Sequence, residues 1–113
     1  MIIKTINLEE GMPTVLVARN RLLQQISASR MCREKVIKII HGYGSTGKGG
    51  AIKREVVSIL NEQLNKGAIK GYVKGEDFSP FGEAARKLLA LYPDVARDRD
   101  FSRGNDGITI VWF

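Results

Sequence analysis

Apolar residues along this chain switch between two spacings. Ile2, Ile3, Ile6 and Leu8 stand close together before Glu9-Glu10-Gly11 and predict a short first strand. Pro13 then opens a helix. Val15, Ala18, Leu22 and Ile26 recur every three or four residues with Leu23 beside them, and Asn20, Gln24 and Ser27 fill the opposite side. That period predicts an amphipathic helix to about Met31. Lys35 to Ile40 is a dense β-branched run, the signature of a central strand buried on both faces.

The pattern then breaks at "HGYGSTGKGG", with five glycines between Gly42 and Gly50. Ile52, Val56, Ile59, Leu60 and Leu64 restore the helical period, and Gly67 stops it as a C-cap. Ile69 to Lys74 alternates as a third strand. Ser79-Pro80 predicts the start of a third helix, with Ser as cap and Pro in the first turn. Phe81, Ala84, Ala85, Leu88 and Leu91 line its inner side, and Pro93 ends it. "DVARDRDFSRGNDG" is expected to be a charged loop, and "GITIVWF" a closing strand. The order β-α-β-α-β-(α)-β is α/β with a small sheet.

Length and charge narrow this further. The chain has 113 residues, enough for one domain over 1–113 with one core. Apolar residues make up 43% and charged residues 27%, as in ordinary globular proteins. No apolar run approaches the roughly 20 residues of a membrane span, and the first ten residues lack a signal-peptide core, so a cytoplasmic protein is expected. One cysteine, Cys32, excludes an internal disulfide and is expected to serve packing. One cysteine and one histidine also fall short of a zinc ligand set unless carboxylates contribute. The net charge is +6. Residues 30–54 hold Arg30, Arg33, Lys35, Lys38, Lys48, Lys53 and Arg54 against Glu34 alone, which is the whole excess. Such a segment is either an electropositive face that attracts nucleic acid or a solvated surface with a basic bias.

The glycine loop fits no nucleotide motif fully. Gly42-x-Gly44-x-x-Gly47 has dinucleotide-fingerprint spacing, but that motif belongs to the first strand–helix unit of a larger domain. The acid about 20 residues on, Glu62, falls inside a helix. Gly42-x-x-x-x-Gly47-Lys48 is a phosphate loop up to its last position, where Gly49 replaces the magnesium-binding Ser or Thr. What remains is the physics common to both. Glycine-rich backbone at a helix N-terminus presents free N–H donors and positive partial charge, and Lys48, Lys53 and Arg54 surround it. The plain alternative is a tight strand-to-helix turn. His41, the only histidine, stands at a strand's C-terminal end, where it is either a structural hydrogen-bonded residue or a functional group. No Ser or Cys partner for a nucleophilic triad is visible. Tyr43, between two glycines, is the residue placed to stack on a base. Trp112 and Phe113 are expected to pack on the core.

"KVIKIIHGYGSTGKGGAIK" together with "GNDGITIVWF" resembles the Smr (small MutS-related) domain. The resemblance rests on His41-Gly42-Tyr43-Gly44 after the second strand and on Gly104-Asn105-Asp106-Gly107 before Thr109-Ile110-Val111. It implies a single βαβαββ-type domain with a small mixed sheet, like the C-terminal domain of translation initiation factor three. Residues 76–103 stand as an insertion before the last strand, bringing one extra helix. It further implies nucleic-acid binding, DNA or RNA, through His41, Gly42, Tyr43, Gly44, Ser45, Gly47, Lys48, Lys53 and Arg54. Some members nick DNA or cleave RNA, and some act at stalled ribosomes. Where the family's first-strand acid and histidine lie, this chain has Asn7 and Glu9. A nuclease reading therefore rests on His41 with Glu9, and a divalent metal enters only with that reading. A protein-interaction module meeting an acidic or ribosomal surface is the third reading.

Overall fold

The computed structural model describes residues 3–11, 13–42 and 48–113. The elements run β1 (Lys4–Asn7), α1 (Val15–Met31), β2 (Val36–Ile40), α2 (Lys48–Asn65), β3 (Gly71–Lys74), α3 (Glu83–Leu91) and β4 (Ile108–Trp112). Short 3-10 turns at Gly75–Asp77 and Pro93–Arg97 flank α3. The strands form one mixed sheet in the order β1-β2-β4-β3. β1 and β2 are parallel, and β4 is antiparallel to both β2 and β3. The expected small mixed α/β sheet is therefore what forms.

Strand alternation divides the core into two layers. Ile6, Leu8, Ile37, Ile39 and Val111 point to one face and meet Ala18, Leu22 and Ile26 of α1 and Ile52, Val56, Ile59 and Leu60 of α2. Val36, Val73, Ile108, Ile110 and Trp112 point to the other face, against Phe78, Ala85, Leu88 and Val95 of the α3 segment. β2 is thus covered on both sides, as its apolar run requires. Trp112 packs on the core as expected. Its ring lies 2.2 Å from where a Cβ on Gly71 would sit, so glycine at that position makes room for the indole.

Several local expectations are corrected. Thr14 caps α1, its hydroxyl accepting from Val17 N at 3.2 Å, so Pro13 precedes the cap rather than opening the helix. The inner stripe of α1 runs through Ser29 in place of Val15, which faces solvent. Ser79-Pro80 does not begin α3. Ser79 Oγ accepts from Phe81 N in a local turn, and the helix starts from a Gly82 cap. Phe81 is consequently 91% exposed and Leu91 also faces out, whereas both were expected inside. Cys32 is exposed rather than packed.

The basic segment is not one face. Arg30, Arg33 and Lys35 lie where α1 ends and β2 begins, while Lys53 and Arg54 lie on α2, beyond the other end of β2. Lys38, between them, is buried, its ammonium 2.6 Å from both Asp98 Oδ1 and Asp100 Oδ2. The supposed charged loop is therefore ordered around a buried lysine.

Candidate functional site

Because β1 and β2 are parallel and each runs into a helix on the same face, their C-terminal ends bring two connections together. These meet through Leu8 and Glu9 on one side and Ile40, His41 and Gly42 on the other. Crevices beyond the carboxyl ends of parallel strands are where open α/β sheets place ligands. Leu8 N donates to Ile40 O at 2.9 Å, extending the pairing to this edge. His41 N and Gly42 N then both donate to Gly107 O, at 2.9 and 3.0 Å, which joins the turn before β4 to the same edge. The motif segments 41–44 and 104–107 of the sequence thus meet at their described residues. Tyr43, Gly44, Ser45, Thr46 and Gly47 lie outside the described residues.

His41 is fully buried on the α1–α2 side of the sheet. Its Nδ1 lies 3.1 Å from Gly42 O and its Nε2 2.9 Å from Thr109 Oγ1. A carbonyl only accepts, so Nδ1 carries the proton and Nε2 accepts from the Thr109 hydroxyl. Burial lowers the pKa below the usual histidine value, and Lys53's charge adds to this against the opposing bond to Gly42. The ring is a neutral strut between β4 and the first turn of the loop. Thr109, buried in a strand read only as apolar, is the partner that sequence reasoning missed. The alternation of "ITIVW" placed it on the His41 face.

Glu9 sits at the same end but on the other side. Gly42 has φ +84°, and a Cβ there would fall 1.8 Å from Glu9 Oε1. Glu9 therefore lies over the Gly42 backbone while His41 points away beneath it. Asn7 Oδ1 accepts from Glu9 N at 2.9 Å and holds that turn. The structure gathers His41 and Glu9 at one edge without joining them.

Lys53 Nζ is bonded to both Glu76 oxygens, at 3.0 and 2.8 Å, and to Asp106 O at 2.9 Å. Burial raises the Glu76 pKa, but the bond to Lys53 and nearby positive charge outweigh it and hold the carboxyl below its ordinary value. Arg54 is exposed, with no ion pair among the described residues. Lys48 begins α2.

On the face away from α1 and α2, a groove of about 650 Å³ opens beside Gly42 and Glu9. Ile3 and β1 and β2 form its floor, the strands through Thr5, Lys38 and Ile40, and Arg97 and Arg99 stand on its wall among Asp94, Asp98 and Asp100. A relay supports this side. Asn105 Nδ2 donates to Asp100 Oδ1 at 2.9 Å, and Asn105 Oδ1 accepts from Gly107 N at 3.0 Å. Lys38, Asp100, Asn105 and Gly107 thus connect the buried ion cluster to the residue that accepts from His41 and Gly42. A lysine in the middle of an apolar central strand was the signal, since a buried cation requires carboxylates. Among the described residues no group of three or more His, Cys, Asp or Glu side chains is placed to hold a metal ion. No helix among them is long and apolar enough to cross a membrane.

No family model matches the chain. It is 27% identical to Protein NrdI of Shigella boydii serotype 4 (strain Sb227), across 90% of this chain and 79% of that protein. It is 26% identical to Protein NrdI of Escherichia coli (strain SMS-3-5 / SECEC) over the same shares. Identity at this level carries no family assignment. In three dimensions the chain superposes on the Smr domain of Thermus thermophilus MutS2 with a TM-score of 0.59, across 97% of this chain and 96% of that one, at 18% identity. The chain has an Smr-type fold. Within that fold, the His41-Gly42 turn and the turn at 104–107 that carried the sequence resemblance come together at one edge of the sheet.

Proposed function

We propose that this Smr-type domain binds the phosphate backbone of a nucleic acid at the edge where the glycine loop leaves β2. The observation that supports the reading is the meeting of His41-Gly42, Lys53 of α2 and the turn at 105–107 on one edge, with Gly42 beside an open groove. Backbone N–H groups at a helix start favour an anion, and Lys48 and Arg54 add charge at the same end. Lys53 joins such an interface only by exchanging Glu76 for a phosphate oxygen. Arg97 and Arg99 line the groove through which a strand would continue. His41 positions the loop from beneath, through Thr109 and Gly42. Ser45 and Gly47 contribute backbone donors, and Tyr43 stacks on an unpaired base. The protein works in the cytoplasm, on DNA, RNA or a ribosome-bound RNA.

Fluorescence anisotropy with labelled single-stranded DNA, duplex DNA and structured RNA, across a salt series, tests this. Each lost phosphate contact flattens the log–log salt slope by about 0.7–0.9. Lys48→Ala/Arg54→Ala should therefore flatten it by about 1.4–1.8 and weaken all sequences alike. Tyr43→Ala should cost about 1–3 kcal/mol on single strands with little change in slope. Absence of binding to all three probes would overturn the reading in favour of a protein-docking module. Cleavage of a probe in the presence of magnesium or manganese, lost in Glu9→Gln, would make the domain a nuclease.

A further inference from the structure

The opposite end of the sheet carries charge that is almost all of one sign. At the glycine-loop end, acids accompany the cations, with Glu9, Glu10, Glu76 and Asp106 all close in the fold. At the other end, α1 finishes with Arg30 and Arg33, β2 begins after Lys35, α2 is followed by Lys66, and β3 is preceded by Lys70. Glu34 is the one carboxylate on these connecting segments. These five cations have no ion-pair partner among the described residues, whereas Lys38, Lys53 and Arg19 all do.

Three of them, Arg30, Arg33 and Lys70, line a cleft. A cavity of about 220 Å³ is lined by Arg30, Arg33, Glu34, the turn at 67–69, Lys70 and Phe113. Backbone bonds fix the walls, with Phe113 N donating to Lys35 O at 3.0 Å and Lys70 N to Trp112 O at 2.9 Å. Lys35, Phe113 and Lys70 thus stand side by side at three neighbouring strand ends. Phe113 packs on the α1–α2 core and remains half-exposed towards the cleft. Arg33 is held at φ +56°, where the chain turns from α1 into β2. Cations at a helix C-terminus offset its dipole, which accounts for Arg30. It does not account for Arg33, Lys35 or Lys70, which lie beyond the helix.

We infer that this cleft is a second phosphate-binding site for nucleic acid, at the end of the sheet away from the glycine loop. The inference rests on the nucleic-acid reading above and extends the footprint from one end of the domain to the other. Arginine suits the role because its planar fork matches two phosphate oxygens. Phe113 supplies an aromatic edge beside them.

The test compares Arg33→Asn/Lys70→Gln with Arg86→Gln/Lys87→Gln, which removes equal charge from exposed positions on α3. Asparagine suits the left-handed backbone at position 33. Salt-dependent anisotropy on a labelled single-stranded oligonucleotide should show the first pair flattening the slope by about 1.4, at roughly 0.7 per contact. The control pair should leave it unchanged, and circular dichroism should show both folded. Arg30→Gln/Lys70→Gln repeats the measurement without touching the turn at Arg33. Equal slopes for the wild type and both cleft variants, with a slope that still responds to Lys48→Ala/Arg54→Ala, would overturn this inference alone. An equal loss in the control pair would also overturn it, as an effect of net charge. A wild type that binds no oligonucleotide would overturn both readings.

Discussion

Replacing Lys38 with methionine should be among the most damaging single changes in this domain. The lysine side chain is 7% exposed, and its partners Asp98 and Asp100 are 14% and 10% exposed. Methionine fills much of the same volume, so the loss is electrostatic rather than a cavity. It leaves two nearly buried carboxylates facing each other, held only by Asp100 N on Asp98 and by Asn105 on Asp100. Removing one partner of a buried pair costs about 3–5 kcal/mol, against a total stability of about 5–15 kcal/mol for a domain. In urea, with an m value near 1.5 kcal/mol/M, the midpoint should fall by about 2–3 M. Acid should narrow the difference. Burial raises the Asp100 pKa, but the bonds from Lys38 and Asn105 outweigh it and hold the group below its ordinary value. A depressed carboxylate stabilises the fold above its unfolded pKa, near 3.9, and that stability is lost as pH falls through the folded value. The wild-type advantage should therefore shrink below about pH 4. Lys38→Met/Asp98→Asn/Asp100→Asn should recover a large part of the loss, because it removes the stranded charges. A cost below about 1 kcal/mol for Lys38→Met at pH 7 would refute the reasoning. It would mean that water from the adjoining groove already screens the cluster.

The His41 strut loses stability in the same direction, with falling pH, but over a higher range. Its pKa is depressed by burial, so its stabilising contribution is present above about pH 6.5 and lost as pH falls towards the folded value; urea midpoints should drop over that range, and a wild-type imidazole titrating at or above 6.5 by NMR would contradict it. Thr109→Val removes the hydroxyl that donates to Nε2 and should cost about 1–3 kcal/mol, with the NMR signal of His41 changing most. Gly42→Ala must hold a Cβ at φ +84° and displace Glu9, a cost of about 1–2 kcal/mol from backbone strain; in a Glu9→Ala background the steric part should vanish and the strain remain, which paired denaturation curves separate.

Much of this protein is written in local pattern. The β-branched run at 36–40, the helical periods before and after it, and the glycine stop at Gly67 each describe a short stretch whose burial follows from spacing alone. The four strands and three helices were legible for that reason, whereas the meeting of His41-Gly42 with Gly107 was not predicted and came from the strand pairing. Caps were less legible. Ser79 and Pro80 satisfy the rules of a helix start, yet a turn stabilised by Ser79 itself uses them first, and α3 begins four residues later. What sequence could not assign was the partner of each charge. Lys38 is 60 residues from Asp98, and Lys53 is 23 from Glu76. Both pairs exist because β4 inserts between β2 and β3 and carries the segment before it back over the sheet. The same topology splits a basic run that is continuous in sequence between the two ends of the domain. It also sends His41 beneath the edge where Glu9 lies above. Periodicity reports which face a residue takes on its own element; which charges meet across elements is decided only when the sheet order brings distant segments together.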